Sequence, residues 1–154
     1  MTKNFMIGIC LLLVSSSFIR AQSLPPEIKK YLGRNYPNWK LSRDKCYENE
    51  LGKAIVQGNF NNDKRPDYAV KFTRGRKGYI LAFLAQGQNY KAFVLHNTDA
   101  EDVNNLTLGI WEKGSRYELG ERNIFVKYDA PSDFRCESDV GGIHLYRNGK
   151  FKAY

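Results

Sequence analysis

Cysteine, histidine and long apolar runs are all scarce in this sequence, and each scarcity excludes something. Three of the 154 residues are cysteine and two are histidine. Neither Cys46 nor Cys136 has a second cysteine or a histidine close by in sequence, so a thiolate metal site is not expected. No stretch reaches the roughly 20 apolar residues that a membrane-spanning helix needs. There is no Gly-x-Ser-x-Gly nucleophile elbow and no phosphate loop. Linkers, low-complexity tracts and internal repeats are absent too, which leaves a single domain as the economical reading.

What is present begins with an export leader. Lys3 supplies a positive start, Phe5 to Val14 form a short apolar run, and Ser15 to Ser17 precede a small residue, Ala21, where a peptidase would cut. Cys10 lies inside the run rather than at its end, so lipid anchoring is not expected. Residues 1–21 read as a signal peptide and 22–154 as one secreted or periplasmic domain. Removing Lys3 and Arg20 from the 24 basic residues leaves 22 against 16 acidic ones, a net charge of +6 on the mature chain. Such a charge suits an anionic partner in the envelope or outside the cell. Nucleic acid is not the expected one, because the charge is scattered, and a monomer is expected. The mature chain keeps two cysteines, Cys46 and Cys136. In an oxidising compartment they are expected to form one disulfide, stabilising the fold by about 4–5 kcal/mol on the chain-entropy model.

Hydrophobic spacing divides the chain into one helix and several strands. Leu24, Ile28, Tyr31 and Leu32 recur at helical spacing, Pro25 and Pro26 suit a first turn, and Gly33 with Pro37 is expected to end the helix. From Ala54 onward strands are expected at 68–73, 79–85, 90–95, 106–111, 124–128 and 143–146. Asn148-Gly149 joins the last of these to residues 151–154 as a hairpin. Residues 79–85 are apolar on both faces, as a strand covered from two sides would be. The fold expected is α+β and β-dominant: an N-terminal helix packed on a twisted antiparallel meander, with one disulfide.

The most specific segment runs from Gly58 to Val70. Oxygen-bearing side chains alternate at Asn59, Asn61, Asp63 and Asp67, with the Arg65 carbonyl between the last two. A loop curling round a cation directs every second residue inward, and calcium takes six to eight such oxygens. The closing glutamate of an EF-hand is replaced by Val70, so this is not one. The segment resembles the calcium loop of FG-GAP and VCBS-type proteins, Gly-Asp-Phe-Asn-Gly-Asp-Gly-x-x-Asp before an apolar strand. That resemblance covers about fifteen residues. It implies a loop between two antiparallel strands that holds one calcium ion through Asn59, Asn61, Asp63, Arg65 and Asp67. The departures are Asn59 in place of aspartate and Lys64 in place of glycine. A looser resemblance, carried by Tyr36-Pro37-Asn38-Trp39, Ala82-Phe83-Leu84 and Asn148-Gly149-Lys150-Phe151, is to small secreted bacterial proteins with one such loop. It implies export and no particular activity.

Three other groups bear chemistry. His96 and His144 can make an acid–base pair if they meet; as strand residues they read first as core or sheet-surface histidines. Glu137, beside Cys136, is a further acid that reads first as a polar strand end. Arg74, Arg76 and Lys77 stand at a hairpin tip and are the expected anion contacts. The function expected is therefore a non-enzymatic binding or structural domain with a weak calcium site. The alternatives are an inhibitor that presents the basic tip to a secreted enzyme, or a small basic hydrolase using His96, His144 or Glu137.

Overall fold

The computed structural model describes residues 23–42, 53–120, 122–136, 138 and 140–154. The expected leader, Cys46 and Glu137 lie outside them. Helix α1 spans Pro26–Asn35, with Pro26 in the first turn, where a missing N–H leaves no intrahelical bond unmade. Ile28 and Leu32 are fully buried. The helix runs through Gly33 and closes with the Tyr36 amide donating to the Leu32 carbonyl at 2.8 Å. The helix expected over 24–35 thus ends where the spacing placed it, at Asn35, and begins two residues later, at Pro26.

Strand β1 (Lys40–Leu41) is followed by β2 (Ile55–Gly58), β3 (Asp67–Arg74), β4 (Lys77–Gln86) and β5 (Asn89–Asp99). β3, β4 and β5 form the expected meander, turning at Gly75 and Gly87, both with φ near +60°. β1 and β2 share the outer edge of β3 end to end. Side chains alternate across this five-stranded sheet. One face, carrying Tyr68, Val70, Phe72, Leu81 and Phe83, packs against Leu24, Ile28 and Leu32 of the helix side. Tyr31 meets Phe83 edge-on at 5.5 Å and Tyr36 meets Phe72 at 5.0 Å, which fixes the helix across the sheet.

The other face carries Val56, Ala69, Ile80 and Leu84. The apolar pattern of residues 79–85 predicts cover on this face as well, and a second sheet supplies it where a single meander was expected. After β5 comes the short helix α2 (Ala100–Asn104), whose Val103 lies against β4 at Gly78. A Cβ at Gly78 would stand 2.5 Å from that of Val103, so the approach needs glycine. Strands β6 (Leu106–Trp111), β9 (Ala130–Arg135), β10 (Gly141–Arg147) and β11 (Lys150–Ala153) then build an antiparallel sheet in the order β11-β10-β9-β6. Asn148 and Gly149, both at positive φ, make the expected turn between β10 and β11.

A hairpin of β7 (Arg116–Leu119) and β8 (Arg122–Phe125) contributes Tyr117 to a third cluster with Ile143 and Leu145. β8 lies slightly ahead of the strand expected at 124–128. The architecture is thus helix, sheet, sheet, β-dominant and antiparallel. Lys71 is fully buried in the five-stranded sheet and donates from Nζ to the Leu106 carbonyl; burial lowers its ammonium to about 8. Among the described residues no helix is long and apolar enough to cross a membrane.

Candidate functional site

Two polar sites stand out, one at the edge of the sandwich and one inside it. The edge site is the loop between β2 and β3. Asn61 Oδ1 accepts from the Asp63 amide at 3.1 Å, and Asp63 Oδ1 accepts from the Arg65 amide at 2.9 Å. Asn61 Nδ2 donates to Asp63 Oδ2 at 3.0 Å. These are local side chain to backbone turns, and they curl the loop unaided. Asn62 and Lys64 sit at φ of 66° and 63°, the left-handed conformation glycine would take more cheaply at the second position.

Asp67 is fully buried and accepts from the Phe60 amide at 2.7 Å and the Ala85 amide at 2.8 Å. Burial raises its carboxyl to about 6, against the lowering effect of those amides. It pins the loop to β4. Asp129, just ahead of β9, ties the same loop to the turn after β6, accepting from the Asn59 amide at 2.8 Å and the Lys113 amide at 3.0 Å. A Cβ at Gly58 would stand 2.6 Å from the Phe60 ring and 3.0 Å from Asp129 Cβ, so glycine is required where these anchors converge. Arg65 reaches across to donate to the Gly87 carbonyl. Asn59 Oδ1 is buried with no hydrogen-bond partner among the described residues.

The inner site comes from three strands. Asp133 of β9 pairs with Leu108 of β6 and Gly142 of β10, and so shares the inward face with Leu108. His144 is two residues beyond Gly142, on the same face and diagonal to Asp133. His96 arrives from the opposite sheet, and a β-bulge brings it there. Along β5 the register jumps from Leu81↔Val94 to Ile80↔His96, leaving Leu95 as the extra residue. Strict alternation from Phe93 would turn His96 outward; the bulge puts both Leu95 and His96 on the inner face.

His96 Nε2 lies 3.1 Å from Asp133 Oδ1, and His144 Nε2 contacts Asp133 Oδ2. The rings of the two histidines meet edge to face, with centroids 5.4 Å apart. Burial raises the Asp133 carboxyl, but hydrogen bonds from His144 and His96 outweigh that and hold it at about 2. The hydrogen bond to Asp133 in turn raises His96, opposed by burial. An ionised carboxylate only accepts, so each Nε2 carries a proton in this arrangement. One ligand atom from each of the three residues falls within 4.8 Å of the other two, a geometry that can hold a metal ion. The side chains of Asp133 and His144 are 7% and 5% exposed and that of His96 is 36% exposed, so His96 is the solvent-facing edge.

No family model, curated protein or solved structure matches this chain.

The remaining expected site residues scatter. Arg74 and Arg76 are exposed at the β3–β4 tip, but Lys77 pairs with Asp99 at 2.8 Å. Cys136 follows β9 and donates its amide to the Asn105 carbonyl at 2.9 Å. From the sequence alone it was open whether the two histidines meet; the structure brings them together, around Asp133, which the sequence did not single out. The available signal was an ionisable residue, His144, inside a strand flanked by Ile143 and Leu145.

Asp67→Ala is expected to destabilise the protein by about 2–4 kcal/mol, because it strands two buried amides. Urea unfolding in EDTA measures this; a change below about 1 kcal/mol would show that the carboxylate does not hold the loop.

Proposed function

We propose that the chain is an exported, non-catalytic binding domain, secreted or periplasmic, whose cationic surface meets an anionic partner. The observation that carries this is the enclosure of the His96–Asp133–His144 group. His144 and Asp133 are sealed between the sheets, and His96 alone offers an edge to solvent. Hydrolysis through paired imidazoles needs both within reach of one substrate bond. A separate groove of about 630 Å³ between α1 and the start of β5 is lined by Glu27, Lys30, Tyr31, Arg34, Asn89 and Tyr90. Its lysine, arginine and tyrosines suit contact with an anion or sugar more than bond cleavage. The exposed Arg74 and Arg76 extend the same cationic character to the hairpin tip; the inhibitor reading also rests on that tip.

The mature chain is expected to leave nucleic acid and cell-wall polymer uncut over hours of incubation. Turnover that disappears in His96→Ala would replace this reading with the hydrolase.

Two further features belong to the proposal. Calcium at the β2–β3 loop is supported by the orphaned Asn59 oxygen, at the first ligand position of the pattern the loop resembles. Asp67 serves the metal-free fold, so Asp63 is the residue that tests the ion. Millimolar calcium should raise the melting temperature by a few degrees over EDTA, and Asp63→Ala should abolish the rise. An equal melt in calcium and EDTA would remove calcium from the reading. A Cys46–Cys136 disulfide is supported by Cys136, which is engaged rather than a free thiol. Thiol titration of the denatured, exported chain should find no free thiol, and two free thiols would exclude the cross-link.

A further inference from the structure

We infer that His96, Asp133 and His144 form a binding site for a divalent first-row transition ion, a role distinct from the calcium loop. The donor set selects the class of ion. Two imidazole nitrogens and one carboxylate suit zinc, cobalt or copper, whereas calcium and magnesium prefer shells made of oxygen. The geometry is nearly assembled. Asp133 stands 3.1 Å from His96 Nε2 and touches His144 Nε2, and the three ligand atoms lie within 4.8 Å of one another. Around an ion bound at about 2.0–2.2 Å, neighbouring ligand atoms sit roughly 3.3–3.5 Å apart. The closure still needed is therefore chiefly between the two imidazoles, through small side-chain rotations.

Binding exchanges protons for the ion. Each neutral imidazole keeps one proton, moved from Nε2 to Nδ1 through solvent, and its Nε2 lone pair turns to the metal. A ring that was cationic releases its extra proton to water. Asp133 stays a carboxylate throughout. The ion's positive charge takes over the neutralising role that the two imidazole N–H groups play in the metal-free protein.

Three features of the fold look arranged for this group. The β5 bulge re-aims His96 into the sandwich. At Gly142, which pairs with Asp133, a Cβ would stand 2.9 Å from the Tyr154 carbonyl oxygen, so glycine lets the end of β11 close against β10 beside the site. Phe93 packs edge to face on Tyr146 at 5.7 Å and on Phe151 at 5.4 Å, locking β5 against β10 and β11 next to the histidines. The partly exposed His96 side gives the ion its entry, and three protein donors leave one tetrahedral position for water.

The test uses the mature chain without a histidine tag, stripped with EDTA. Zinc titrated by calorimetry should bind at one equivalent and raise the melting temperature by roughly 5–10 °C at a hundredfold excess over Kd. Cobalt should give the visible bands of a low-symmetry site. His96→Ala keeps the buried His144–Asp133 bond and so keeps the fold; it should weaken zinc binding by about 100-fold and abolish the cobalt bands. Asp133→Asn, checked for folding by circular dichroism, should do the same. The inference is overturned if no saturable zinc binding appears below about 1 mM. It is equally overturned if binding survives unchanged in His96→Ala.

Discussion

An ionised carboxylate placed between two β-sheets must be neutralised where it sits, because water is not there to do it. Asp133 is that group, and much of the local architecture answers to it. Its own strand gives it no choice of direction: the pairing that seats Leu108 in the inter-sheet core seats Asp133 beside it. The second sheet supplies one partner, His144, at the diagonal position on β10. The first sheet supplies the other only by departing from regular pairing, through the extra residue at Leu95. A bulge interrupts a ladder and leaves one residue unpaired. Here it delivers a second imidazole to the same carboxylate from across the sandwich, so the two sheets are joined by a polar contact, His96 to Asp133, as well as by Phe93, Tyr146 and Phe151.

Asp67 is a second buried carboxylate, and the comparison shows what the histidines add. It is met by neutral backbone amides of Phe60 and Ala85, which orient it but carry no charge. Burial then dominates, and its carboxyl rises to about 6. Asp133, as deeply set, meets imidazoles that can carry charge, and its carboxyl falls to about 2. The same side chain thus serves as a structural pin in one place and a firm anion in the other. Asp133 is held as an anion to lower pH than Asp67.

Much of the framework was legible in the residues. The helix, the meander of β3 to β5 with its glycine turns, and the Asn148-Gly149 hairpin all follow from local spacing and turn chemistry, which do not depend on distant partners. The second layer was less so. The apolar character of both faces of β4 signalled cover from two sides, yet nothing local said that the later strands would form a separate sheet. β9 was not among the expected strands, and Pro131 and Asp133 are residues that strands disfavour. In the fold Pro131 lies beyond the last β9–β10 pair, Ile143↔Ser132, where its missing N–H is tolerated on that side.

The inner site was hidden for a different reason. His96, Asp133 and His144 sit on three strands in two sheets, so no spacing along the chain connects them. The bulge that aims His96 is itself invisible, since alternation read through Phe93 and Leu95 puts the histidine outside. The acidic loop had the opposite character: its pattern is local and easily seen, but its oxygens are largely occupied by the loop's own amides and amide nitrogens. A conspicuous motif and a convergent site therefore make different demands on a ligand. At the loop, an ion must compete with hydrogen bonds that already complete the turn, and Asn59 Oδ1 is the oxygen left over. Between the sheets, the ligand atoms lie within 4.8 Å of one another, and two of the three side chains are closed to a polymer. Enclosure that argues against catalysis on a large substrate is the same enclosure that favours binding of a small cation.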